Sequence, residues 1–240
     1  MGNIITSFSI TAGWKSRGES GAWQPRKGRV VRGRSSVRRY GTDAGVAMTF
    51  EEAIARLEAC GVMSISTDEI RRFIFELMGQ IAHLGPAVEI GSCYGGTAAL
   101  MEWGGARVIA VDNWTLGTRD AFVRNMKLLG LSVEVREGKS ADLADTFKDR
   151  SLSYVMVDAW HWDQGPYMDY LLYAPKIAVG GYLLADAVAN GHPAVIQGLV
   201  KWLANEPEAR DFRFVRDFQR VHECSSSHHL TDCIAFKRVA

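Results

Sequence analysis

Apolar positions along the chain follow two rhythms. Between Thr49 and Ile81 they recur every three or four residues, the spacing of helices that bury one stripe. Thr49-Phe-Glu-Glu52 reads as a capping box, with the glutamate three residues after the threonine. The helix it opens carries Ile54 and Leu57 and stops near Gly61. A second helix begins at Thr67-Asp-Glu-Ile and lines up Ile70, Phe73, Ile74, Leu77, Met78 and Ile81 as a packing face. After Gly85-Pro86 the rhythm changes. Short apolar runs at Ala87–Ile90, Val108–Val111, Val133–Val135, Tyr154–Val157 and Tyr182–Ala185 alternate with helical segments. Those segments lie near Gly96–Trp103, Arg119–Leu129, Ala141–Phe147, Tyr167–Ala174 and Pro193–Asn205. Strands alternating with helices predict an α/β domain, a mostly parallel sheet with helices on both faces. Two last apolar stretches, Phe212–Phe218 and Cys233–Val239, have no helix between them and predict an antiparallel pair at the sheet edge.

Composition supports one globular unit: 240 residues, 47% of them hydrophobic, suffice for a single core. No apolar run approaches the roughly 20 residues that span a bilayer, so no membrane partner is expected. The opening residues lack a basic stretch followed by an apolar one, and no signal peptide is expected. Cys60, Cys93, Cys224 and Cys233 form no C-x-x-C pair, which suits reduced thiols and a cytoplasmic location. Charge divides the chain. Residues 1–47 hold nine basic and two acidic residues, whereas the remainder is net −6. A basic, disordered N-terminal extension before a domain over 48–240 is the expectation. Clustered arginines can also pair with nucleic-acid phosphate, but a solvated tail explains them more simply.

Ligands of open α/β sheets bind beyond the carboxyl ends of the strands, so the residues after each run are the candidates. The first run ends in Glu89-Ile-Gly91-Ser92-Cys93-Tyr94-Gly95-Gly96-Thr97. Its glycines permit a tight turn, and the following helix aims its N-terminal N–H groups there. The spacing is not the G-x-G-x-x-G of dinucleotide binders, and a carboxylate two residues before Gly91 suits an amino-bearing or cationic ligand better than a pyrophosphate. The second run ends in Asp112-Asn113, where an acid can accept both hydroxyls of a ribose. Gly138-Lys-Ser140-Ala141 follows the third, and Ser140 equally suits the cap of the next helix. Asp158-Ala-Trp160-His161-Trp162-Asp163 follows the fourth and Asp186 the fifth. Neighbouring acids at strand tips suit a hard cation, and a histidine suits proton transfer.

In order and spacing these pieces resemble class I S-adenosylmethionine (SAM)-dependent methyltransferases, closest to small O-methyltransferases such as catechol O-methyltransferase and a bacterial group marked by D-x-x-H. The resemblance rests on Val88-Glu-Ile-Gly-Ser-Cys-Tyr-Gly-Gly-Thr97, Val108–Asn113, Gly138-Lys-Ser140, Val155–His161 and Gly180-Gly-Tyr-Leu-Leu-Ala-Asp186. It implies a Rossmann-like methyltransferase fold, a seven-stranded sheet whose last strand is antiparallel. It further implies that Glu89, Gly91, Ser92, Tyr94, Gly95 and Thr97 form the turn beside the methionine part of SAM. Asp112 and Asn113 would hold the ribose, Ser140 and Ala141 would flank the adenine, and Asp158 would border the cofactor. Asp158 and Asp186 match metal ligands of cation-dependent members, with Mg²⁺ the expected ion, and His161 falls where those enzymes carry a catalytic residue. Ala187 replaces the asparagine that serves them as a third ligand.

The resulting expectation is methyl transfer to a small-molecule acceptor, at a hydroxyl oxygen, with His161 as base and Asp158 assisting, by a monomer or homo-oligomer. An NAD(P)-dependent oxidoreductase and a non-catalytic binding module on the same fold are the alternatives. Trp114, Trp160 and Trp162 lie near strand tips as possible walls of an acceptor pocket, while Trp103 and Trp202 read as core. The Cys and His residues between His222 and Cys233 match no standard zinc spacing.

Overall fold

The computed structural model describes residues 48–64, 66–186, 192–218 and 233–240. The basic N-terminal segment, Ala187 and the His222–His229 stretch lie outside the described residues.

Two helices precede the sheet. Helix α1 (Phe50–Ala59) is capped by Thr49 as the sequence predicts: the Thr49 N–H donates to Glu52 Oε2 at 2.8 Å and the Glu52 N–H donates to Thr49 Oγ1 at 3.2 Å. Helix α2 (Asp68–Ile81) is capped by Thr67 and buries Ile70, Ile74, Leu77, Met78 and Ile81. Five parallel strands follow, β1 (Ala87–Ile90), β2 (Val108–Asp112), β3 (Glu134–Glu137), β4 (Leu152–Val157) and β5 (Ile177–Ala185). The helices between them are α3 (Gly96–Trp103), α4 (Arg119–Leu129), α5 (Ser140–Leu143) and α6 (Gly165–Tyr173). Helix α7 (Pro193–Asn205) leads to β6 (Phe212–Phe218) and β7 (Cys233–Arg238). The sheet order is β3-β2-β1-β4-β5-β7-β6, and β7 runs antiparallel to both its neighbours. This is the Rossmann-like methyltransferase fold, with strand order reversing between β1 and β4.

Alternation along each strand divides the core into two layers. Ala87, Ala110, Tyr154, Met156 and Leu184 pack against α1 to α4 on one face. Val88, Ile90, Val111, Val155, Leu183 and Ala185 pack against α5, α6 and α7 on the other. Burial on both faces explains why these strands read as continuous apolar runs.

Three sequence expectations change. The third strand starts at Glu134 and the fifth runs back to Ile177, through Gly180-Gly181. The helix expected over 141–147 is one turn, α5, that tightens into a 3-10 turn at Ala144–Thr146. The antiparallel pair forms at the sheet edge as expected, with β7 inserted between β5 and β6.

That insertion is fastened by Arg238, which is buried. One guanidinium nitrogen donates to the carbonyls of Ala174, Pro175 and Ile177 at 3.0 to 3.3 Å. The other meets Glu208 and, at 3.0 Å, Asp211.

Candidate active site

Strand parity aims four acids the same way. Glu89 shares a face with Ala87, Asp112 with Ala110, Asp158 with Met156 and Asp186 with Leu184. All four therefore lie on the α3 side of the sheet. Glu89 is the next-to-last residue of β1, and the other three end or follow their strands.

The β1 turn is built on Gly91, whose φ is +92° and whose added Cβ would lie 2.0 Å from the Asp158 carbonyl oxygen. Gly95 has φ +86°, and a Cβ there would strike Met126 and Phe122. Both glycines thus permit the tight turn that the sequence predicts and close approach of protein to protein within it. Ser92 and Thr97 are buried, and Thr97 Oγ1 lies 3.2 Å from Ser64 Oγ. The Tyr94 carbonyl accepts from Asn125 at 2.9 Å.

Asp112 ties this turn to β2. Its two carboxylate oxygens accept from the backbone N–H of Cys93 at 3.1 Å and of Trp114 at 2.7 Å. Each oxygen keeps a lone pair for a further donor. Cys93, Trp114 and Asp163 are three of the four non-glycine residues with positive φ among the described residues, and all three flank the strand tips. Asn113 is exposed and turns back on Thr115, accepting from its N–H at 3.1 Å and its hydroxyl at 3.0 Å.

Glu89 is buried with Oε2 lacking any partner, and burial pushes its carboxyl well above the usual range, against the Ser92 hydroxyl. An orphaned buried acceptor of that kind fits a cationic amino group.

Beyond β4, donor atoms of Asp158, His161 and Asp186 all lie within 4.8 Å of one another. His161 Nε2 is 3.3 Å from Asp158 Oδ1 yet is not aligned to hydrogen-bond it. Burial lowers the His161 pKa, opposed by the Asp186 charge, so the ring is neutral near pH 7. Burial raises Asp158 to about 7 and Asp186 well above the usual range, and mutual repulsion raises Asp186 further. The Cys233 thiol donates to Asp186 Oδ1. A half-buried and a buried carboxyl this close share a proton or a cation. Two carboxylates and an imidazole are a sound donor set for a divalent ion.

Trp160 and Trp162 stand at the mouth, 58% and 53% exposed, with ring centroids 5.5 Å apart. The His192 ring lies 4.8 Å from both His161 and Trp162. Trp114 does not join them: its ring is buried 5.2 Å from Phe122. Trp202 is core as expected, and Trp103 packs half-buried under Arg56.

Ser140 is not a helix cap. It is the first residue of α5, and its hydroxyl donates to Asp169 Oδ1 at 2.5 Å. The neighbouring Ala141 is half-buried. Sequence reasoning missed Tyr154, His192, Asp169 and Cys233. Tyr154 had one signal, since it lies four residues before Asp158 and so points to the same face. Its hydroxyl is buried without a partner and feels the charges of Cys233, Glu89, Asp186 and Asp158. The others meet the site only through tertiary packing.

Residues 88–188 match the family model described as a methyltransferase domain. No curated protein sequence matches the chain. Among solved structures, a cofactor-bound protein from MTB, Rv0187, is 16% identical with a TM-score of 0.59 over 82% of this chain and 92% of that one. An O-methyltransferase from Bacillus cereus in complex with SAH is 19% identical, TM-score 0.58, over 79% and 90% of the two chains. The O-methyltransferase TomG from Streptomyces achromogenes, involved in tomaymycin synthesis and bound to SAM, is 14% identical, TM-score 0.57, over 80% and 89%. At these identities the likeness is one of fold. The match over residues 88–188 and the shared fold together show a chain that resembles the class I SAM-dependent O-methyltransferases.

Proposed function

We propose that the protein transfers a methyl group from SAM to a hydroxyl of a small planar or ring-shaped acceptor. The observation that carries this reading is the set of acids on adjoining strand tips: Glu89 and Asp112 on one side of the β1–β4 switch, Asp158, His161 and Asp186 on the other. Glu89 Oε2 would meet the α-amino group of the cofactor, and the free lone pairs of Asp112 the ribose hydroxyls. The turn from Gly91 to Thr97, with Ser92, Tyr94 and Gly95, would enclose the methionine part, and Asn113, Ser140 and Ala141 the base. SAM supplies a methyl group on a sulfonium that leaves readily as a neutral thioether. The protein therefore mainly aligns the acceptor oxygen and excludes water. His161 takes the hydroxyl proton at Nε2, where it is neutral and unpartnered, as the oxygen bonds to the methyl carbon. Trp160 and Trp162 offer ring faces to the acceptor. Asp158 and Asp186 would hold a divalent cation, which when bound would acidify a hydroxyl beside it.

Calorimetry with S-adenosylhomocysteine (SAH) and with NAD⁺ tests the cofactor. Heat from SAH and none from NAD⁺ is expected; the reverse overturns the reading in favour of an oxidoreductase. SAH release, followed over a panel of phenols and sugars, tests the base. The His161→Ala variant is expected to keep SAH affinity and lose roughly 100-fold or more in kcat. Unchanged kcat would remove His161 from that role.

A further inference from the structure

Two buried polar atoms near the strand tips have no partner in the fold, and the reaction proposed above uses only one of them. Glu89 Oε2 is the first. The hydroxyl of Tyr154 is the second, on a side chain that is fully buried. Strand register brings the two together. Strands β1 and β4 pair Ala87 with Tyr154 and Glu89 with Met156, so Tyr154 and Glu89 are diagonal neighbours on the α3 side of the sheet. Burial holds the phenol well above its ordinary range, so the hydroxyl keeps its proton and can always donate.

Four groups lie near enough to act on that hydroxyl by their charge: Cys233, Glu89, Asp186 and Asp158. Three of them are engaged with one another. The Cys233 thiol donates to Asp186 Oδ1, and Asp186 hydrogen-bonds Asp158. Glu89 Oε2 is the acceptor left buried and without a partner. A carboxylate oxygen has two lone pairs, room for one donor from the protein and one from a ligand. A buried hydroxyl without a partner destabilises the fold that carries it, whereas phenylalanine fills the same space without that penalty. We propose that Tyr154 is a positioning residue for the amino group of the cofactor: when the ammonium meets the Glu89 carboxylate, the Tyr154 hydroxyl donates to Oε2 from the core side and fixes it against the ligand. The inference rests on the SAM reading above and names the residue that stands behind Glu89.

The test is calorimetry with SAH and with its deamino counterpart, identical except for a hydrogen in place of the α-amino group. The wild-type chain should bind SAH roughly 100-fold more tightly, the scale of a buried charge pair that loses one member. Tyr154→Phe should weaken SAH roughly tenfold and leave the deamino ligand unchanged, so the ratio falls by the same factor. Glu89→Gln should remove most of the ratio, and adding Tyr154→Phe to it should cost nothing further, because the two side chains act as one unit. Thermal melts of the ligand-free chain supply the readout that separates positioning from packing. Tyr154→Phe should melt no lower than the wild type, since it removes only an atom without a partner. Retention of the wild-type ratio by Tyr154→Phe, equal weakening of both ligands, or a lower melting temperature each overturns the inference. A wild-type chain that binds both ligands equally overturns it and leaves the SAM reading standing; one that binds neither overturns that reading as well.

Discussion

Asp158 carries opposite demands from stability and from chemistry. Its carboxyl is raised to about 7 because burial and the Asp112 charge disfavour ionisation, against a hydrogen bond with Asp186 on the next strand that favours it. A folded-state pKa above the unfolded value of about 3.9 stabilises the fold while the group is protonated. That contribution is full below about pH 4 and is lost as pH rises toward 7. The ligand-free protein should accordingly melt at lower temperature at pH 8 than at pH 5.5. Asp158→Asn should remove much of this slope and gain roughly 1–2 kcal/mol at pH 8, discounted because 29% of the side chain is still open to water. It should also abolish methyl transfer; thermal melts across pH and an activity assay check both. Gly91 makes a simpler case. Any side chain there meets the Asp158 carbonyl, so Gly91→Ala should cost about 2 kcal/mol or more, readable by urea denaturation. The four acids of the site were legible in the sequence because each lies at or next to the end of an apolar run. Their charge states were not, since burial and mutual repulsion exist only after the strands are aligned.

The β4–α6 segment shows what one element contributes to two sites. Its first residues, Asp158 to Trp162, carry the acid and imidazole that meet Asp186 and the two exposed tryptophans, and its last helical turns hold Ser140 through Asp169 and Tyr173. Two exposed tryptophans on a short loop present apolar surface that water covers poorly. If ring faces bind the acceptor, Trp160→Ala and Trp162→Ala should each raise KM for a ring-shaped acceptor about three- to tenfold and leave SAH affinity unchanged, on the scale of one aromatic contact. Steady-state kinetics beside SAH calorimetry would show it. Helices such as α3, α4 and α7 were readable to the residue because their apolar spacing and glycine or proline boundaries agree. The stretch after Ser140 was not. Its apolar residues Leu143, Ala144 and Phe147 suit a helix, yet the chain tightens to bring Phe147 within 5.7 Å of Tyr173. Trp114 misled for a related reason: it lies two residues past Asp112 at a strand tip, but its left-handed backbone goes with a ring turned inward onto Phe122.

The antiparallel ending was legible in outline, since two apolar runs with no helical pattern between them in the sequence favour antiparallel pairing. Which of them lies inside was hidden, because Arg238 reads as a surface charge until Glu208, Asp211 and three carbonyls surround it. Removing a guanidinium from such a nest leaves acids and carbonyls without their donor, so Arg238→Met should cost about 3 kcal/mol. The strand it anchors is the latest in sequence among those described, yet an interior one. Until residue 238 is available, β5 keeps an open flank and β6 has nothing to pair with. Two naked edges invite joining between chains. Synthesis of this protein thus passes through an interval in which nearly every helix is in place while the sheet stays unsealed, and a chaperone that shields strand borders would be of most use at that moment.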